Sequence, residues 1–341
     1  MSTPQWQREW QSSITDPATL IDTLELDPAL LEPAHQAARL FALRVPQAYL
    51  ARMRPGDPHD PLLRQVLPLG TETEDTPGFT DDPVGDGASL HAGGVIHKYH
   101  GRALLIATGA CAINCRYCFR RHFPYAEANA STGQWREALA YLRADPSIEE
   151  VILSGGDPLS LNDRRLSQLA EGLAAIPHLR RLRIHSRLPV VLPNRVDEAL
   201  LDWLTGHHLQ PVMVIHANHP NELGEDVAEA MQRLADRGVR LFNQAVLLRG
   251  VNDHADTLAE LSERLFAIGV QPYYLHLLDR VQGAAHFEVT EPEAVTLMHA
   301  ITARLPGYLL PRLVREVPGE PSKTPIDCAM PRCAPRSADA T

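Results

Sequence analysis

From residue 103 onward the chain alternates short apolar runs with amphipathic stretches, and this alternation restricts the fold more than any other feature of the 341 residues. The apolar runs span 103–107, 150–154, 181–185, 211–216, 240–247 and 270–277. Helical patterns at 134–143, 164–175, 196–204, 226–237, 255–268 and 291–304 follow them one for one. Six strand-then-helix repeats read as successive βαβ units around a parallel sheet. The strands are largely apolar, as expected where helices cover one face and a barrel interior fills the other. A closed barrel takes about eight such units. Six predict an α/β fold, a partial (β/α)6 TIM-like barrel whose open side is covered by the N-terminal segment, the tail or a partner.

Residues 1–95 read as a helical N-terminal extension and connector, with a helix over 33–43, a turn-prone stretch at 54–60 and an acidic, irregular connector at 71–90. The barrel then occupies 96–305. In the tail, 306–341, Pro306, Pro311, Pro318, Pro321, Pro325 and Pro331 preclude a helix or a long central strand. It is expected to lie extended over the site.

The formal net charge of −10 argues against a protein that grips nucleic acid by neutralising phosphates, and favours small-molecule chemistry. The first residues lack a basic segment followed by an apolar run, and nothing approaches the ~18–20 apolar residues of a membrane helix. The expected location is the cytoplasm. Hydrophobic residues at 44% and charged residues at 22% leave ample material for a buried core.

Of five cysteines, Cys111, Cys115 and Cys118 form Cys-x3-Cys-x2-Cys just after the first strand, at the barrel end where active sites sit. Clustered reduced thiols are metal ligands rather than a disulfide framework. Three thiolates on a [4Fe-4S] cube leave one iron open for a small molecule. The competing reading is structural zinc, with His122 as a fourth ligand.

Cys111-Ala112-Ile113-Asn114-Cys115-Arg116-Tyr117-Cys118 resembles the signature of radical S-adenosylmethionine (SAM) enzymes, in which the open iron binds SAM and the reduced cluster cleaves it to a 5'-deoxyadenosyl radical. Ser154, Gly155, Gly156 and Asp157, ending the second strand, resemble that family's glycine-rich segment near the methionine amino group. His216 and Gln244 fall in segments that resemble its SAM pocket.

Over 95–325 the chain resembles lysine 2,3-aminomutases, which also carry pyridoxal 5'-phosphate (PLP). Lys323, in Pro318-Gly319-Glu320-Pro321-Ser322-Lys323-Thr324-Pro325, matches the PLP lysine. A lysine can form a Schiff base; an arginine cannot. The resemblance places Arg102 and Lys98 at the PLP phosphate and Arg120 at the substrate α-carboxylate. It places Asp279 and Glu316 at the ε-ammonium of L-lysine, with Glu316 standing where the family usually has aspartate. What this implies is the conversion of L-lysine to β-lysine, with an external electron donor.

His254 stands where longer aminomutases have a zinc-ligand cysteine, and Cys328 and Cys333 lie too near the PLP loop to take over that role. No zinc is expected, and a weaker or different oligomer. The short form most resembles the branch that supplies β-lysine for elongation factor P, in concert with a separate lysine ligase. Alternatives are an aminomutase acting on another amino acid such as glutamate, whose mark would be a cation in place of Asp279 and Glu316, and a non-catalytic iron-sulfur binding module.

Overall fold

The computed structural model describes residues 3–125 and 132–328. Ten strands run in sequence order across one sheet: β1 Leu90–His91, β2 Val95–Tyr99, β3 Arg102–Thr108, β4 Glu150–Gly155, β5 Arg181–Ser186, β6 Gln210–Ile215, β7 Arg240–Val246, β8 Gln271–His276, β9 Arg312–Arg315 and β10 Thr324–Pro325. From β3 to β9 every neighbour pairs parallel, while β1, β2 and β10 are antiparallel additions at the two edges.

The six apolar runs become β3 to β8 within a residue or two. Helices follow at Thr132–Ala144, Asp163–Ala174, Glu198–Thr205, Glu225–Asp236, Ala255–Ala267 and Glu291–Thr302. Their starts are chemically set. Asn162 and Asp197 accept backbone hydrogen bonds as N-caps, and Thr290 with Glu293 forms a capping box. Glu225–Asp236 buries Val227, Ala230, Met231 and Leu234, one stripe of a helix packed on the sheet.

The tail departs from expectation by supplying a seventh parallel strand. Pro311 ends just before Arg312-Leu313-Val314-Arg315, a proline-free tetrapeptide able to pair with β8 through Tyr274↔Arg312 and His276↔Val314. A proline outside the paired residues removes no ladder donor.

The N-terminal extension is part of the same packing: one apolar cluster runs from Trp6 to Leu313. Its helix at Leu31–Leu40 lies close to the expected 33–43. The sheet remains open, since β1 and β10 are edges. The connector spans part of that gap. Thr80 bridges to Val281 beyond β8, while Leu90 and His91 pair with β2 at the opposite edge. Side chains close the rest, with Tyr99 of β2 donating to Glu316 just after β9.

Candidate active site

The cysteine loop follows β3 and is shaped by the N-terminal extension. Its Asn114 amide donates to Arg44 O (3.2 Å) and its Arg116 amide to Gln65 O (2.9 Å). The Arg116 guanidinium is fully buried, donating to Glu72 (2.6 Å) and to the carbonyl of Phe41 (2.6 Å). Arg121 binds the same carboxylate at 2.8 Å. A charge so deeply buried persists only when paired and hydrogen-bonded.

Cys111, Cys115 and Cys118 line a cavity of about 540 Å³ at the C-terminal ends of the strands. Burial pushes the Cys111 thiol well up and that of Cys118 up to about 11. Arg187, from the end of β5, donates to Cys115 Sγ at 2.7 Å. Its other amine reaches Glu222 (2.9 Å), Gln65 (2.7 Å) and Tyr49 (3.0 Å). No three His, Cys, Asp or Glu side chains among the described residues converge as for a single metal ion. His122 instead faces the Gln282 carbonyl at 3.2 Å. The donor set fits a sulfide-bridged cluster, in which each thiolate binds a different iron.

At the end of β4, Gly155 has φ +119°, and a Cβ there would lie 2.6 Å from Thr108 O; at Gly156 it would lie 2.5 Å from Ala110 O. These glycines let β4 close onto the start of the cysteine loop, with Gly156 N donating to Thr108 O at 2.7 Å. Asp157 is spent on the scaffold. Its carboxylate accepts from Ser186 Oγ (2.7 Å) and the amides of Arg187 (2.8 Å), Leu188 (3.1 Å) and Leu159 (3.1 Å), tying β4 to β5. Burial nevertheless pushes it up to about 6. Ser154 faces the cavity and accepts from Arg120 at 3.2 Å. His216 and Gln244 line the same space, and burial pushes His216 down to about 4, leaving it neutral at pH 7.

Lys323 and the five residues assigned above to phosphate and substrate all line this one cavity. Lys323 Nζ donates to Glu316 at 2.8 Å. Burial favours the neutral acid at Glu316, but Lys323, Tyr99 and Lys98 together hold its carboxyl below the ordinary range. Asp279 makes no ion pair or side-chain hydrogen bond among the described residues; burial pushes it up to about 7, against the opposing pull of Lys323. Arg102 stacks over Tyr99 at 4.7 Å and has no carboxylate partner among the described residues. A guanidinium without a carboxylate partner among the described residues, in one cavity with a lysine amine, suits a phosphorylated aldehyde such as PLP. The sequence holds two lysines, Lys98 and Lys323, and both are in this cavity.

Sequence reading missed Asp86, Tyr99, Arg187, His185, His276, Tyr273 and Tyr274, which also line it. His185 and His276 stand at strand ends, where barrel chemistry gathers, so position was an available signal. Asp86 gave none, lying in the connector.

Residues 105–262 match the Radical SAM superfamily. With three cysteines at the mouth of an open parallel barrel, this defines a radical SAM protein, a class that holds a [4Fe-4S] cluster and SAM. The chain is 51% identical to L-lysine 2,3-aminomutase of Escherichia coli, covering 96% of this chain and 95% of that protein. To the enzyme of the same name from Haemophilus influenzae it is 47% identical (94% of each), and to that of Clostridium subterminale 36% (86% and 71%). It belongs to the lysine 2,3-aminomutase family, isomerases that also use PLP.

Proposed function

We propose that this enzyme converts L-lysine to β-lysine, with PLP carried on Lys323, the cluster on Cys111, Cys115 and Cys118, and electrons from an external donor. The observation that carries this reading is the presence in one cavity of the three thiols, both lysines of the chain, and, without an ionic partner among the described residues, Arg102 and Asp279. When bound, the cluster and SAM supply a radical able to break an unactivated C–H bond, and PLP supplies the π-system next to the migrating nitrogen.

The protein's own residues hold and orient. Arg120 binds the α-carboxylate, and its requirement for that group favours free lysine over lysine joined through its carboxyl. Arg102 takes the phosphate. Lys98 contributes less than its sequence position suggested, because its ammonium is already on Asp86 (2.6 Å) and Val84 O (2.7 Å). Asp279 meets the ε-ammonium first, since Lys323 competes for Glu316. Ser154, Gly155, Gly156, Asp157, His216 and Gln244 line the SAM side, and the Asp157 carboxylate also ties the end of β4 to the end of β5. The barrel of 96–305 carries the cluster, residues 1–95 brace it, and the tail from 306 brings the lysine.

β-Lysine then passes to a ligase that joins it to elongation factor P in the cytoplasm, a destination supported by the likeness of the Glu320-Pro321-Ser322-Lys323-Thr324-Pro325 loop to the short branch. Among the described residues no helix is long and apolar enough to cross a membrane. Anaerobic incubation with L-lysine, SAM, PLP and a reductant should give β-lysine and 5'-deoxyadenosine. Absence of both from cluster-loaded enzyme refutes the reading; turnover of L-glutamate instead would establish the alternative substrate. Deletion of the gene should remove the β-lysyl mass from elongation factor P, and its persistence would exclude that destination.

A further inference from the structure

Asp86 is a buried carboxylate between two cations. Its Oδ1 lies 2.6 Å from Lys98 Nζ and its Oδ2 2.7 Å from Arg120 Nε, and it is 3% exposed. The turn presenting it is specifically built. Asp82 accepts from the amides of Asp86 and Gly87, both at 2.9 Å, Gly85 takes φ +66°, and Lys98 donates to Val84 O at 2.7 Å. Burial favours the neutral acid, yet Arg120 and Lys98 together hold the carboxyl below its ordinary value.

The consequence is geometric. Arg120 has its Nε tied to Asp86 and one Nη1 hydrogen tied to Ser154 Oγ at 3.2 Å. These two ties leave the outer edge, one hydrogen on Nη1 and those on Nη2, as a fork matched to a carboxylate. Lys98 offsets the charge of Asp86, and its other carboxylate neighbour, Glu316 at 3.7 Å, is offset by Lys323 at 2.8 Å, so the Lys98–Asp86–Arg120 group presents net +1 to a monoanion. Arg102, outside this group and unpaired, remains for a dianion. Two anionic groups of different charge are thereby directed to different cations in one cavity.

We infer that Asp86 is a positioning residue that sets Arg120 for end-on, bidentate binding of the substrate carboxylate. This rests on the assignment of Arg120 to that carboxylate. A carboxylate held by a well-oriented guanidinium gains about 1.5–3 kcal/mol from charge-assisted hydrogen bonds, or roughly 10- to 100-fold in affinity.

The test uses full-length enzyme loaded with cluster and PLP, without SAM or reductant, so that binding is read from the PLP absorbance and not from turnover. L-Lysine is titrated beside 1,5-diaminopentane, which has both amines but no carboxylate. In Asp86→Asn the dissociation constant for L-lysine should rise about 10- to 100-fold, with that for diaminopentane within about twofold of wild type. Asp86→Glu should recover part of the lysine affinity. Unchanged lysine affinity in Asp86→Asn, or equal weakening for both ligands, overturns the inference; equal weakening is what a purely structural role predicts. Should Asp86→Asn fail to load, Ser154→Ala removes the second tie, and a loss confined to lysine supports the inference while a parallel loss refutes it. A wild-type enzyme whose spectrum ignores lysine would refute the proposed function itself, a result distinct from any of these.

Discussion

Asp279 faces the cavity without a side-chain partner among the described residues, and its position makes a quantitative demand on pH. Its carboxyl, ordinarily near 3.8, is pushed up to about 7 by burial. A lysine ε-ammonium stays charged to a pKa of about 10.4 and gains from the ionised acid alone. The apparent dissociation constant for lysine therefore scales as about 1 + 10^(7 − pH), a fall of roughly tenfold between pH 6 and pH 8. Asp279→Asn should bind lysine more weakly at pH 8 and abolish this dependence; the mutant-to-wild-type ratio removes the effect of the α-amine, which titrates in both. The assay is anaerobic titration of the PLP absorbance at several pH values. The same shift acts on stability, with a definite sign. A folded pKa above the unfolded one means that ionisation opposes folding, so the cost is absent below about pH 4, grows between about pH 4 and 7 and is constant above that. At about 1.4 kcal/mol per pH unit over about three units, the cost reaches on the order of 4 kcal/mol without ligand. Asp279→Asn should thus melt higher than wild type at pH 8 and equally at pH 4. A wild-type affinity flat from pH 6 to 8, or a slope retained in Asp279→Asn, refutes the reasoning.

Replacing Lys323 by alanine should eliminate the visible imine absorbance of bound PLP while iron and sulfide content stay intact; an imine that survives would move the PLP site elsewhere. Arg187→Met removes a cationic donor from Cys115 Sγ and so disfavours the more negative reduced cluster. Its midpoint potential should drop by about 60 mV per tenfold of lost stabilisation in an EPR-monitored redox titration, and an unchanged potential with an intact cluster would exclude the effect. Glu72→Gln leaves Arg116 and Arg121 without their shared charge. Denaturant unfolding should register a loss of about 3–5 kcal/mol, against under 1 kcal/mol if the network were solvated like a surface pair.

Sequence periodicity was enough for β3 to β8 and the helices between them, because each parallel strand is an uninterrupted apolar run bounded by turns, a signal local to a few residues. The Cys111, Cys115 and Cys118 spacing and the proline-framed Lys323 were legible for the same reason: their chemistry is written within single short segments. Tertiary structure decided the rest. β9 emerged from the proline-rich tail only because β8 offered an unpaired edge. Gly155 and Gly156 line the cavity and also sit where the backbone at Thr108 and Ala110 comes too close for a Cβ, a constraint that only the packed β3 and β4 impose. Asp157 turned inward to hold β5.

The charged partners were the least legible, since ion pairs join residues by distance in space and leave no trace in local pattern. Asp86 reaches Arg120 across 34 positions, Arg187 reaches Cys115 across 72, and Tyr99 reaches Glu316 across 217. By itself the sequence determined which groups the chain could bring to a reaction and on what kind of barrel. Only the fold decided which cation is neutralised, which acid is left unpaired and which face of Arg120 is free, because burial and contact fix the energy of a charge, and both are properties of the assembled chain.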